Sequence, residues 1–171
     1  MNKKIIGIIV IIVIVISIMV TIFCMDVYKK ELEKILLIEI DVESKMEEIL
    51  NNEKVSKEID KETLVLINED IYASLYDIDL NLLESYYGKT PMIGLKSNEI
   101  VIVKVKDVND ITIVEDKFRK RAENVASNFE NYLENEYEIA RNPLVYSKGK
   151  YVIFAISSNN EIIKAIFENS F

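Results

Sequence analysis

The chain predicts an α+β fold behind a membrane anchor: an N-terminal transmembrane helix, then a mainly antiparallel sheet in ββαββα order with helices packed on it. Three observations carry this reading. Ile5 to Met25 reads IIGIIVIIVIVISIMVTIFCM, with no charge and almost unbroken branched aliphatics. Ile100 to Lys106 alternates, placing Val101, Val103 and Val105 on one face of a strand. From Asp107 to Leu133, Ile111, Val114, Phe118, Ala122, Val125, Phe129 and Tyr132 recur at three- and four-residue steps, as on one face of a helix.

At about 1.5 Å per residue the first stretch is long enough to cross a hydrocarbon core of roughly 30 Å. A helix pairs its backbone groups internally, which lipid requires. Lys3 and Lys4 precede it, and positive charge beside a first span favours the cytoplasmic side. We therefore expect residues 1–4 as a cytoplasmic tail, 5–25 as the transmembrane anchor, 26–40 as a helical stalk and 41–171 as one extracytoplasmic domain. A cleaved signal peptide is the rival, but Val20-Thr21-Ile22-Phe23-Cys24 offers no small-residue cleavage pattern. Bacterial lipoprotein signals place a small residue before the modified cysteine. Phe23 is large, so Cys24 reads as an ordinary thiol at the membrane edge. With one cysteine there is no intrachain disulfide, and the outer domain must be held by its own core.

The chain carries 21 Lys+Arg against 29 Asp+Glu, a formal charge of −8. Such a balance repels phosphate backbones and anionic headgroups, which disfavours nucleic acid as a partner.

Within the outer portion, Asp41 caps a helix from about Val42 to Asn51 whose inward stripe is Val42, Met46, Ile49 and Leu50. Asn51 to Glu62 reads as a linker. Leu64 to Ile67 is a short apolar run, and a helix from about Glu69 to Tyr76 would turn Ile71, Tyr72 and Leu75 inward. Asn81 and Glu84 fit a capping pair. The segment after Ser85 reads as two strands turning at Leu95 to Asn98, with Pro91 confining the first to an edge or bulge. Leu144 to Ser147 and Tyr151 to Ile156 form a second hairpin about Lys148-Gly149. Ser158 and Glu161 then suggest a capping box opening a last helix with Ile162, Ile163, Ile166 and Phe167 inward. We expect helices on one face, and YVIFAIS, apolar on both faces, calls for a second cover: the N-terminal helices or another copy of the chain.

The residue pattern also resembles a bacterial family known as domain of unknown function 4358. The resemblance rests on Leu75-Tyr76-Asp77-Ile78-Asp79, SNEIVIVKVKD from Ser97 to Asp107, NYLENEYEIARN from Asn131 to Asn142 and SKGKYVIFAIS from Ser147 to Ser157. It covers roughly Asp41 to the C-terminus and implies an envelope location, with no established catalytic residues. Family members often carry Gly where this chain has Asp77, and Asp also tolerates the left-handed turn Gly would supply. Many have a proper lipobox, which Phe23 interrupts.

Candidate chemistry is sparse. The chain has no histidine, the commonest general base and metal ligand. Asp77, Asp79 and Asn81 match the first ligands of a calcium loop, but Leu82 and Gly88 stand where Gly and a bidentate Glu belong, so they read as turn chemistry. Ser147-Lys148-Gly149-Lys150 has the spacing of a serine–lysine nucleophile without its partner elements, and a hairpin turn explains it. The tyrosines Tyr72, Tyr76, Tyr86, Tyr87, Tyr132, Tyr137, Tyr146 and Tyr151 would line a groove or fill the core. We expect no catalytic, cofactor-binding or metal-ligating residues. The function that follows is a membrane-anchored binding or accessory module of the bacterial envelope. The alternatives are a carboxylate-dependent envelope hydrolase and a self-associating scaffold.

Overall fold

The computed structural model describes the backbone of residues 3–92 and 94–171, and side chains from Ile11 onward. Residues 1–38 and 39–171 form two separate units. The first is a single helix, α1 (Lys3–Leu36), long and apolar enough from Ile11 onward to cross a membrane. It runs through Cys24, a free and exposed thiol.

The second unit is built on an open antiparallel sheet. Its strands are β1 (Leu64–Leu66), β2 (Leu83–Pro91), β3 (Glu99–Val105), β4 (Leu144–Lys148) and β5 (Tyr151–Ile156), in the spatial order β1-β2-β3-β5-β4. Alternation along β3 and β5 sends two apolar sets to opposite faces. Val101, Val103, Val105, Val152, Phe154 and Ile156 meet α4 (Glu69–Tyr76), α5 (Ile111–Phe129) and α6 (Glu134–Arg141). Ile100, Ile102, Tyr151, Ile153 and Ala155 meet α2 (Val42–Leu50), α3 (Glu53–Glu58) and α7 (Asn160–Glu168). Helices therefore cover both faces, not one as expected. The chain itself supplies the second cover that YVIFAIS demanded, so neither sheet face is left for another copy.

Local signals explain most element ends. Asp41 caps α2 by accepting from the Ser44 amide at 2.8 Å, as the sequence indicated. Asp77 ends α4 with φ 53°, taking the left-handed position a glycine would occupy. Gly149 turns the β4–β5 hairpin with φ 60°. Gly88 sits where a methyl group would come within 3.0 Å of Ile67 and 3.1 Å of Val101, so its missing side chain lets those two side chains close over β2.

Several expectations need correction. The 51–62 linker contains α3, because Val55 and Ile59, four residues apart, are both buried beneath its charges. The long helix stops at Phe129, since Asn131 takes φ 63°; Tyr132 is then 66% exposed, and α6 follows as a separate helix. Ile71 points outward, and Tyr76 takes its place in the core. Asn81 does not cap: Asp79 does, accepting from the Asn81 amide, while Glu84 pairs with Lys104. The Ser158–Glu161 box does not form, because the Ser158 amide donates to Glu58 at 2.7 Å.

Tyr72 is fully buried, and its hydroxyl has no hydrogen-bond partner among the described residues. A desolvated, unpaired hydroxyl is a cost with no return. Tyr72→Phe is expected to leave the fold intact and to stabilise it by about 1 kcal/mol, read as a raised urea midpoint at unchanged m-value.

Candidate functional site

Of the buried polar residues, Ser97, Asn98, Glu99, Glu136 and Ser157 gather at one end of the sheet, where β3 begins and β5 ends, while Lys104 lies near the other. Ser97, Asn98 and Glu99 are consecutive and buried, and each is held by a different charged group. The Ser97 amide and hydroxyl both donate to Glu136 of α6 at 2.9 Å, and Lys96 reaches the other oxygen of the same carboxylate at 2.9 Å. Asn98 donates to Glu58 of α3 at 2.9 Å; Glu58 also accepts from Ser157, the Ser158 amide and Asn159. Glu99, only 1% exposed, accepts a bidentate pair from Arg121 of α5, at 3.0 Å from Nε and 2.7 Å from Nη2. Tyr76 and Thr90 complete its shell at 2.7 and 3.2 Å.

These groups are structural staples. Burial opposes ionisation of Glu58, but the hydrogen bonds from Ser158, Ser157 and Asn159 outweigh it and hold the carboxyl below its usual range. Burial likewise opposes ionisation of Glu136, and Lys96 with Ser97 outweighs it. Burial, then the Glu99 charge, pushes Tyr76 well above the ordinary tyrosine range, so it remains a donor. Because Glu58 and Glu136 have lowered folded-state pKa values, their stabilisation is present above the ordinary value of 4.5 and is lost as pH falls through the lower folded values. Urea midpoints are therefore expected to hold between about pH 7 and pH 5 and to fall below about pH 4. Glu58→Gln should flatten part of that fall.

The residues singled out by motif are dispersed. The Asp77 carboxylate pairs with Lys117, Asp79 caps the turn at 80–82, and the Asn81 carbonyl accepts from Lys106. Among the described residues no group of His, Cys, Asp or Glu is arranged to hold a metal. Ser147 lies on β4, and the Lys150 ammonium donates to the Lys106 carbonyl. The tyrosines divide: Tyr72, Tyr76 and Tyr86 cluster on one face, with ring centroids 4.8 Å apart in the two pairs Tyr72 makes. Tyr87, Tyr146 and Tyr151 pack on the other face.

Sequence reasoning missed the Glu99–Arg121 pair. The signal was there: Arg121 follows Phe118 by three residues and precedes Val125 by four, so it stands beside the inward stripe of α5.

Two hollows deserve comparison. One, of about 360 Å³, opens where β1 meets the end of β2 and is lined by Glu62, Thr63, Pro91, Met92, Leu95 and Lys96. Met92 is 65% and Leu95 54% exposed there, so two large apolar side chains lie side by side at the sheet edge. The other, of about 440 Å³, lies over the α5–α6 turn and the first turns of α6 and collects Glu130, Glu134 and Glu138 with Tyr132 and Tyr137.

A family profile, Domain of unknown function (DUF4358), matches residues 57–157. The chain belongs to this family. The matched span runs from α3 to the end of β5 and so contains the whole sheet and all the staples of Ser97, Asn98 and Glu99. No curated protein and no solved structure matches the chain significantly.

Proposed function

We propose that this DUF4358 chain is a single-pass, membrane-anchored binding module of the bacterial envelope. In this reading residues 1–4 are cytoplasmic, 5–25 cross the membrane, 26–38 form a stalk, and the rest faces outward. The stalk expected over 26–40 is shortened because Glu39 pairs with Lys104 and the Ile40 amide donates to Tyr151. The observation that carries it is a contrast within the outer domain. The buried charged side chains Glu99, Glu136 and Lys104, and the half-buried Arg121, are each held by an internal partner, while Pro91, Met92 and Leu95 line an open apolar hollow at the sheet edge. A pocket built for acid–base work keeps an ionisable group available; a docking surface offers apolar area instead.

The hydrolase reading has one observation in its favour, the carboxylates of the α5–α6 hollow. Scaffold formation through a sheet face has none, since helices cover both faces.

Photo-crosslinking residues placed at Met92 or Leu95 are expected to capture an envelope partner in cells. The same residue at Ile113, 47% exposed on α5, should capture none. Equal capture from all three positions, or loss of function only in a Glu130→Gln, Glu134→Gln variant, would overturn the reading. A reporter fused to the C-terminus should be active outside the membrane.

A further inference from the structure

We propose that the β1 edge is a strand-addition site for an extended polypeptide with an apolar centre and basic flanks. The inference rests on the binding-module reading and specifies its partner chemistry.

The edge is open in a defined way. The Ile67 amide donates to the Gly88 carbonyl at 2.9 Å and the Met92 amide to the Thr63 carbonyl at 3.0 Å, with Val65 opposite Thr90 between them. In an antiparallel ladder these alternate residues face β2, so the backbone groups of Leu64 and Leu66 face out of the sheet. The Leu64 amide is already used by the Lys61 carbonyl. That leaves the Leu64 carbonyl and both backbone groups of Leu66 directed at an incoming strand. The Leu66 side chain is 54% exposed, and the Met92–Leu95 hollow lies at the end of the same edge. Ladder groups together with an apolar receptacle are what strand addition uses: the backbone supplies affinity, and the pocket selects a side chain.

Charge decides the occupant. Asp60 and Glu62 precede β1, Glu69 and Asp70 follow it, and all are exposed. Between Asp60 and Asp70 the only cation is Lys61, against four carboxylates. The two lysines nearest the edge, Lys96 at the hollow and Lys89 opposite Leu66, are already paired with Glu136 and Glu47. A strand with lysines or arginines on both sides of an apolar centre is attracted at both ends, and an acidic one is repelled. The same acids act against pairing with the β1 edge of a second copy, as charged edges generally do.

The test uses the full chain in a zwitterionic detergent and labelled peptides with a Val-Thr-Val-Thr-Val centre, flanked by lysines or by glutamates. Anisotropy should show the lysine-flanked peptide binding about tenfold more tightly, with the difference shrinking at high salt. Leu66→Pro removes an outward donor that β2 does not use, so it should abolish binding at an unchanged unfolding midpoint. The Glu62→Lys, Asp70→Lys variant keeps the edge and should reverse the preference. Equal binding of both peptides, binding undiminished in Leu66→Pro, or binding of neither peptide overturns strand addition. So does light scattering that shows self-association sensitive to Leu66→Pro, which would make the occupant a second copy. A partner cross-linked at Met92 in cells whose capture survives Leu66→Pro would leave the binding module standing and remove only the strand.

Discussion

Replacing Arg121 with methionine is expected to cost the 39–171 unit about 3–5 kcal/mol, the penalty for leaving a buried charge without its partner. Glu99 is 1% exposed, and Arg121 supplies a hydrogen bond to each of its oxygens. Methionine fills much the same volume, so the loss reports charge and not a cavity. Two further variants separate these terms. Glu99→Gln in the Arg121→Met background removes the stranded charge and should recover a large part of the deficit, leaving a nearly neutral site with Tyr76 and Thr90 still able to donate. Glu99→Leu with Arg121→Met should also recover most of the deficit, since apolar replacements of buried pairs are often neutral, but it leaves the buried Tyr76 hydroxyl without its acceptor at a cost of about 1 kcal/mol. Unfolding is read from tyrosine fluorescence, which suits a chain with nine tyrosines and no tryptophan. If Arg121→Met costs no more than about 1 kcal/mol, Glu99 is not held as a buried ion and the staple account of the sheet end fails.

The parts of the fold that were legible in the sequence are those where one local rule acts alone. Asp41 stands before an unambiguous i, i+4, i+7, i+8 stripe, and α2 begins where the cap requires. The expected helix at Glu69–Tyr76 matches α4 in its bounds, and β3 and β5 follow from alternating or doubly apolar runs. Errors arose where a distant group overrode a local signal. Ser158 looked like a cap, but Glu58, a hundred residues earlier in the chain, takes its amide. The α5 stripe continued on paper through Tyr132, while the positive φ of Asn131 ends the face one turn early. The α3 helix was hidden because only Val55 and Ile59 mark it among charges.

Of the candidate site only the run SNE was legible, as part of the pattern that resembles the family. That three adjacent residues would each meet a different charged partner, from β3 to α3, α5 and α6, depends on tertiary contacts that no spacing encodes. The docking edge was invisible for a related reason. Leu64 to Ile67 is a short apolar run in any reading, and only the register with β2 shows which of its backbone groups are spare.

Phe118→Ala is expected to give the second large loss, again about 3–5 kcal/mol, by a different route. Its ring is fully buried, stacked on Phe154 at 5.0 Å and 10°, and edge-on to Tyr76 at 5.5 Å and 89°. Truncation removes the transfer energy of the ring and leaves a cavity whose walls are held by the sheet on one side and α5 on the other. Phe118→Leu, which keeps most of the apolar contact, should cost markedly less. The informative measurement is the coupling with Arg121. Tyr76 lies between the two residues: its hydroxyl donates to Glu99, and the Arg121 guanidinium sits 5.9 Å from its ring centre. A loosened Tyr76 already weakens the Glu99 shell, so Phe118→Ala and Arg121→Met together should cost less than their sum by about 0.5 kcal/mol or more. Phe167→Ala supplies the control. It is equally buried but belongs to the core on the opposite face of the sheet, so its loss should add to that of Arg121→Met. Additivity in both pairs would show that Tyr76 transmits nothing, and that the aromatic core and the buried ion pair are independent supports of the same sheet end.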